Sequence, residues 1–265
     1  MKKWLIIATV LVACGITVFA GVMSINHWNF TILNTDDLIS NEYYITDSFY
    51  DISINYDTAD IKFVMSKDDK CRVAVKEYSK EKHNVHVEND TLTIEYKDTR
   101  KWYEHIGIRF GSPEIIVYLS KTSCYNLLIN GSTGDVTIDS LYMLISNIDI
   151  STSTGDININ MASCENMNIK SSTGDINITD TNCINKLKIT ASTSDIHFGY
   201  PFRAGTIDIK VSTGDVTGFI SSPHKFIVTT STGDIEVPKD SSNKICKITT
   251  STGDVKIKYK VIICS

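Results

Sequence analysis

The chain has 265 residues, 42% of them apolar and 22% charged, and its 26 Lys and Arg against 31 Asp and Glu leave a formal net charge of −5. That is enough chain for one or two folded units. A mildly acidic chain without a basic block lacks the footprint of a nucleic-acid binder, and only four prolines and 14 glycines exclude a collagen-like or disordered chain.

Lys2 and Lys3 precede a run from Trp4 to Ile25 that carries no charge across 22 residues. As a helix it would be roughly 33 Å long, enough to cross a bilayer core. Asp36, Asp37 and Glu42 follow it, so the positive-inside tendency places the N-terminus in the cytoplasm and the rest outside. Residues 1–27 are therefore expected to be a membrane anchor. Two other readings stay open. Leu11-Val12-Ala13-Cys14-Gly15 has the form of a lipobox with Cys14 as the lipidated residue, and a cleaved signal peptide would release the chain.

Residues 28–122 are expected to hold a linker and a β-rich cap. Strand-like runs stand at Asp51–Tyr56, Asp60–Met65, Cys71–Lys76, Thr91–Tyr96 and Glu114–Leu119, with turn clusters at Ser66–Lys70 and Glu88–Asp90 that suggest hairpins.

From residue 123 to 265 the chain repeats. The tetrapeptide STGD or a near copy recurs with its Asp at 135, 156, 175, 195, 215, 234 and 254, and Asp57-Thr58-Ala59-Asp60 is a degenerate copy upstream. Alignment on that Asp puts apolar residues eight and six positions before it and one and three after it. For Asp175 these are Met167, Ile169, Ile176 and Ile178, with polar residues between. Across the eight copies only Gly218 breaks the pattern. Each unit thus reads as two short period-2 strands joined at Ser-Thr-Gly. One unit cannot bury its inner face alone, so units must stack. The expected fold is all-β: a parallel β-solenoid of about seven 20-residue coils with an N-terminal β-rich cap, preceded by one transmembrane helix. Lys256, Lys258 and Lys260, alternating with Ile257, Tyr259 and Val261, read as protection of the last strand against edge pairing.

The apolar segment, the DTAD unit, the stretch Arg100–Leu119 and the STGD array together resemble a family of bacterial cell-envelope proteins described as "putative adhesins" or β-strand-repeat proteins of unknown function. The resemblance implies a surface role without enzymatic activity and no cofactor. Its partners would be the membrane, through the N-terminal helix, and a surface ligand, wall polymer or envelope protein. The other readings are an accessory or sensor in an envelope-stress system and, more remotely, a carbohydrate-active β-helix enzyme.

The Asp column (Asp135, Asp156, Asp175, Asp195, Asp215, Asp234, Asp254) has two readings. Stacked carboxylates repel, and calcium would relieve this. Otherwise each Asp caps its own turn by accepting backbone N–H bonds. The second is favoured, because each unit offers one carboxylate where a calcium loop gathers several. A row of threonines beside it, Thr133 to Thr252, suits a stacked turn and equally a flat ligand such as a glycan. Cys164 and Cys183 each follow their unit's Asp by eight residues, so they should stack within disulfide reach or serve as small core residues. Trp102, Tyr103, His105, Ile106, Ile108 and Phe110 form an aromatic-rich stretch that either closes the core or meets a partner. No HExxH, CxxC or GxSxG motif occurs.

Overall fold

The 24-residue helix α1 (Lys2–Ile25) is long and apolar enough to cross a membrane, and the rest of the chain is all-β. The computed structural model describes residues 2–30, 36–105, 109–120, 125–239 and 242–260, apart from the side chains of 142 and 143. Two compact units result. One comprises Met1–Leu38 with Arg100–Gly111, and the other Ile39–Thr99 with Ser112–Ser265.

The upstream strands are β1 (Leu38–Ile45), β2 (Asp51–Thr58), β3 (Asp60–Met65), β4 (Cys71–Tyr78), β5 (Glu81–Glu88), β6 (Thr91–Asp98) and β7 (Glu114–Leu119). β5 and β6 form the hairpin expected at 88–90. Glu88 pairs with Thr91, and Asn89 and Asp90 take φ of 50° and 59°, as the two central residues of a type I′ turn require. The cluster at 66–70 leads elsewhere. β4 runs antiparallel to β7, and β7 is itself parallel to β3, so β7 lies between them.

The repeat region supplies β8 (Asn126–Thr133), β9 (Val136–Thr154), β10 (Ile157–Thr173), β11 (Ile176–Thr179), β12 (Thr181–Thr193), β13 (Ile196–Phe198), β14 (Phe202–Thr213), β15 (Val216–Ile220), β16 (Lys225–Thr229), β17 (Ile235–Glu236), β18 (Ile245–Thr252) and β19 (Val255–Tyr259). Equivalent positions of different units pair in parallel: Ile169 with Ile150 and Ile189, and Ile176 with Ile157 and Ile196. The inward columns are buried from Ile52 and Ile61 through to Cys246 and Val255, and burying each such side chain contributes about 1.5–3 kcal/mol. A third column, Ile145–Cys164–Cys183–Ala204, pairs in register and is buried as well, on a side the four-position pattern leaves out. Between the second and third sides the chain turns at Ser140, Met161 and Asp180, five residues after the Asp, each with φ between 44° and 58°. Left-handed non-glycine residues of this kind cost about 1–3 kcal/mol, which the flanking ladders must offset.

The order of units in space differs from their order in the chain at both ends. β2 sits between β6 and β8, and β3 between β7 and β9, so the DTAD unit is inserted between its successors. At the other end β18 lies between β14 and β16, and β19 between β15 and β17. The last STGD unit is thus interior, and the unit of Asp234 forms the outer layer. Its inward positions are accordingly the poorly covered ones: Phe226, Val228 and Val237 are half-buried and Ile235 is exposed. The reading of Lys256, Lys258 and Lys260 as edge protection is corrected for Lys256, because Val255 and Lys256 pair with both β15 and β17; from Ile257 to Tyr259 β19 pairs with β15 alone. Val261 lies outside the described residues.

Gly218, the exception to the apolar columns, has a backbone cause. Its φ is +124°, and a Cβ there would stand 2.1 Å from the carbonyl oxygen of Phe198 in the paired strand.

Candidate functional site

The STGD corner is built from three hydrogen bonds per step. The Gly N–H donates to the Thr carbonyl of the neighbouring unit, as from Gly155 to Thr173 at 3.0 Å. The residue after the Asp donates to the neighbouring Asp carbonyl, as from Ile157 to Asp175 at 2.8 Å. The third bond uses the side chain. Asp135 N–H donates to Asp60 Oδ1 at 2.9 Å, Asp156 to Asp135 at 2.8 Å, Asp175 to Asp156 at 2.7 Å and Asp195 to Asp175 at 3.1 Å. Asp215 then donates to Asp195 at 2.8 Å, Asp254 to Asp215 at 2.7 Å and Asp234 to Asp254 at 2.8 Å.

Eight aspartates therefore form one unbroken ladder along the solvent-facing corner, in the order 60, 135, 156, 175, 195, 215, 254, 234. Seven of the eight carboxylates, all but that of Asp234 at the end, cap the adjacent unit, whereas the sequence pointed to its own turn. These N–H to carboxylate bonds are charge-assisted and set against the like-charge repulsion of the column. At one step a cation joins: the Lys256 ammonium, hydrogen-bonded to Asp254, holds that carboxyl below the usual carboxylate range. Among the described residues no group of three or more His, Cys, Asp or Glu is arranged to hold a metal ion.

The threonines beside the ladder stack in the same order, Thr133–Thr154–Thr173–Thr193–Thr213–Thr252–Thr232, and all are exposed. In the aromatic stretch Trp102, Tyr103 and His105 lie on a 3-10 turn and are exposed, as is Phe110; Trp102 and Tyr103 meet edge to face at 5.8 Å. Ile106 and Ile108 lie outside the described residues. Cys164 and Cys183 are register partners, both fully buried and both free thiols. A hydrogen bond with Cys183, together with burial, pushes the Cys164 thiol up. Burial likewise pushes Cys71 up to about 11 and Cys246 up to about 12. Cys124 and Cys264 lie outside the described residues.

One buried polar cluster had no signal in the sequence. Glu77 and His83 are almost fully buried; Glu77 Oε2 is 3.0 Å from His83 Nδ1 and accepts the His83 backbone N–H at 2.6 Å, while Oε1 accepts from Asn41 Nδ2 at 2.8 Å. His86 is three residues along the strand, on the opposite face, beside Asn84 and Glu88. The two histidines are thus not a pair.

A family model matches residues 49–261, the span that holds all eight copies of this corner: Toastrack DUF4097. The chain belongs to the Toastrack DUF4097 family. No curated protein matches it. Among solved structures, a "putative adhesin" from Bacteroides fragilis is similar at 17% identity and a TM-score of 0.50, covering 84% of this chain and 97% of that one. Another from Parabacteroides distasonis has 13% identity and a TM-score of 0.47 over 85% and 98% of the two chains. A "putative lipid binding protein" from the same species has 16% identity and a TM-score of 0.36 over 86% and 95%. At these identities the likeness speaks to fold alone.

Proposed function

We propose that this Toastrack protein is a non-enzymatic cell-surface module, held by α1 in the membrane with its N-terminus in the cytoplasm and its β-body outside, where it acts by binding. The observation that carries this reading is the apolar α1, uncharged from Trp4 to Ile25, ahead of an all-β body. The parts are the anchor 1–27, the linker and cap 28–122, and the array 123–265, read as a parallel β-solenoid of seven coils. The parallel registers between equivalent units support that reading. The regular corners leave little room for the inserted loops on which a catalytic cleft would sit. The array is thus a scaffold, and contact surfaces lie on its flanks and on the exposed Trp102, Tyr103, His105 and Phe110. Outside the cell, an oxidising medium would join the register-paired Cys164 and Cys183.

The test is protease accessibility on intact cells. A C-terminal tag should be removed by external protease while an N-terminal tag is protected, and a Cys14→Ser chain should stay in the membrane fraction. Protection of the C-terminal tag, or release of the Cys14→Ser chain, would contradict the anchored topology. Deletion of the protein should reduce attachment to surfaces; a changed antibiotic response with normal attachment would favour the envelope-stress reading.

A further inference from the structure

One unexplained feature of the β-body is an open cleft of about 700 Å³ where the β1–β2 connection meets the turn after β3 and the start of β8. Its volume falls in the range of about 300–1,000 Å³ typical of small-molecule sites. Tyr50 and Tyr125 form one wall, their rings 5.5 Å apart and inclined by 35°. Both are about half exposed, at 47% and 52%, and Tyr44 beside them is 61% exposed. These are large apolar faces left open to water, whereas Phe63, Phe198 and Phe202 of the same β-body are completely buried.

The platform is held in place by its backbone. Tyr50 N–H donates to the Asp90 carbonyl at 2.8 Å, Tyr125 N–H to the Tyr50 carbonyl at 2.7 Å, and Asn147 N–H to the Tyr125 carbonyl at 2.9 Å. The backbones that carry the two rings therefore sit on successive layers of the stack. Facing the cleft from its other sides are Asp47, Asp69 and Lys70, all exposed.

The chemistry of this lining selects a ligand class. Aromatic faces take the flat, weakly apolar C–H face of a sugar ring, and carboxylates accept from the hydroxyls at its rim. Two carboxylates against one ammonium disfavour an anionic group such as a phosphate or an acidic headgroup. A lipid tail would lack partners for the polar rim. We propose that this cleft is a saccharide-binding site that takes a neutral or amine-bearing sugar chain across the Tyr50–Tyr125 platform. The proposal rests on the surface-binding reading above and gives it a ligand class.

The test is calorimetric titration of the full chain in nanodiscs of neutral phospholipid with three probes: an N-acetylglucosamine tetramer, a glucosamine tetramer and a galacturonate tetramer. The first or second should bind saturably and the anionic third should not. Tyr50→Ala and Tyr125→Ala should each weaken binding about tenfold or more, as loss of a stacking anchor does. Tyr50→Phe, which keeps the ring face and guards against a folding artefact, should retain it, and Lys82→Ala, an exposed position on β5 outside the cleft lining, should leave it unchanged. Binding by none of the probes, preference for galacturonate, or equal binding by the alanine variants would overturn the proposal. Capture of purified glycan from the producing cell's wall, abolished by Tyr125→Ala, would identify that wall as the source. Capture restricted to glycan from other surfaces would support the same site with a foreign source. Surface attachment that persists in the alanine variants would sink the cleft but leave the surface-binding role standing, whereas attachment unaffected by deleting the protein would sink that role itself.

Discussion

Gly174 shows what one corner residue must satisfy. Its φ is +126°, and a Cβ there would stand 2.1 Å from the carbonyl oxygen of Gly155 in the adjacent unit. Gly174→Ala should therefore cost about 2–4 kcal/mol, readable as a lower denaturation midpoint. Ser194 occupies the same position without a left-handed φ, its N–H still donating to Thr213 at 3.0 Å. A different backbone at this corner spares Ser194 the left-handed strain, and Ser194→Gly should leave the midpoint nearly unchanged. The aspartate ladder leads to a second expectation. Asn keeps an acceptor at Oδ1, so replacing Asp156, Asp175 and Asp234 by Asn should leave the melting temperature nearly unmoved, with or without calcium. A column that bound calcium would instead gain stability in millimolar ion, about 2.7 kcal/mol at a hundredfold excess over Kd, and the Asn variant would lose that gain. Inside the coil, Ile176→Asp buries an unpaired carboxylate and should cost several kcal/mol. The adjacent Asn177 looks free of consequence in the sequence, yet its Nδ2 donates to Asn158 Oδ1 at 3.1 Å. Asn177→Asp faces two acceptors and should cost about 1 kcal/mol, still far less than its neighbour.

At the scale of the element, period-2 alternation was enough to locate the strands, because one face of each is buried and a slip of one residue would expose it. The bounds of β3 and β7 follow from the alternation alone. The third column was harder to read. It contains Ile145, Cys164, Cys183 and Ala204, residues too varied and too small to stand out, and register shifts between Ala162 and Ser163 and between Cys164 and Asn166 break the alternation there. β1 and β5 were missed for a related reason: their half-exposed, polar-rich patterns carry little signal. Parallel pairing makes units interchangeable. Asn166 pairs with Lys186 as Asn147 pairs with Asn166. Deleting residues 166–185 therefore joins Glu165 to a residue with the same partners, and the shortened chain should fold and melt cooperatively. Deleting only ten of those residues puts polar side chains on inward positions and should abolish the folded signal by circular dichroism. Equal tolerance of the two deletions would contradict unit-by-unit stacking.

For the whole molecule, the sequence reveals the repeat but hides the order of its copies. Every unit offers the same edge, so the spacing of the STGD motifs does not state which unit pairs with which. The structure inserts an early unit between two later ones at one end and the last unit between the two before it at the other, giving pairs such as Thr58 with Thr133 and Thr213 with Thr252. The candidate ligand site was illegible for the same reason. Tyr44 near the end of β1, Tyr50 just before β2, Asp69 before β4 and Tyr125 just before β8 line one cleft, and the two platform rings meet because β2 and β8 are neighbours. The most direct measurement is cysteine cross-linking in a Cys14→Ser background, since the described remaining cysteines are buried. Thr58→Cys with Thr133→Cys, and Thr213→Cys with Thr252→Cys, lie on exposed, directly paired positions within disulfide reach. Each pair should oxidise rapidly to an internal cross-link seen as a mobility shift, while Thr213→Cys with Thr232→Cys, separated by the intervening strand, should not. A cross-link in the last pair with none in the first two would mean that the units stack in chain order, and would contradict the account.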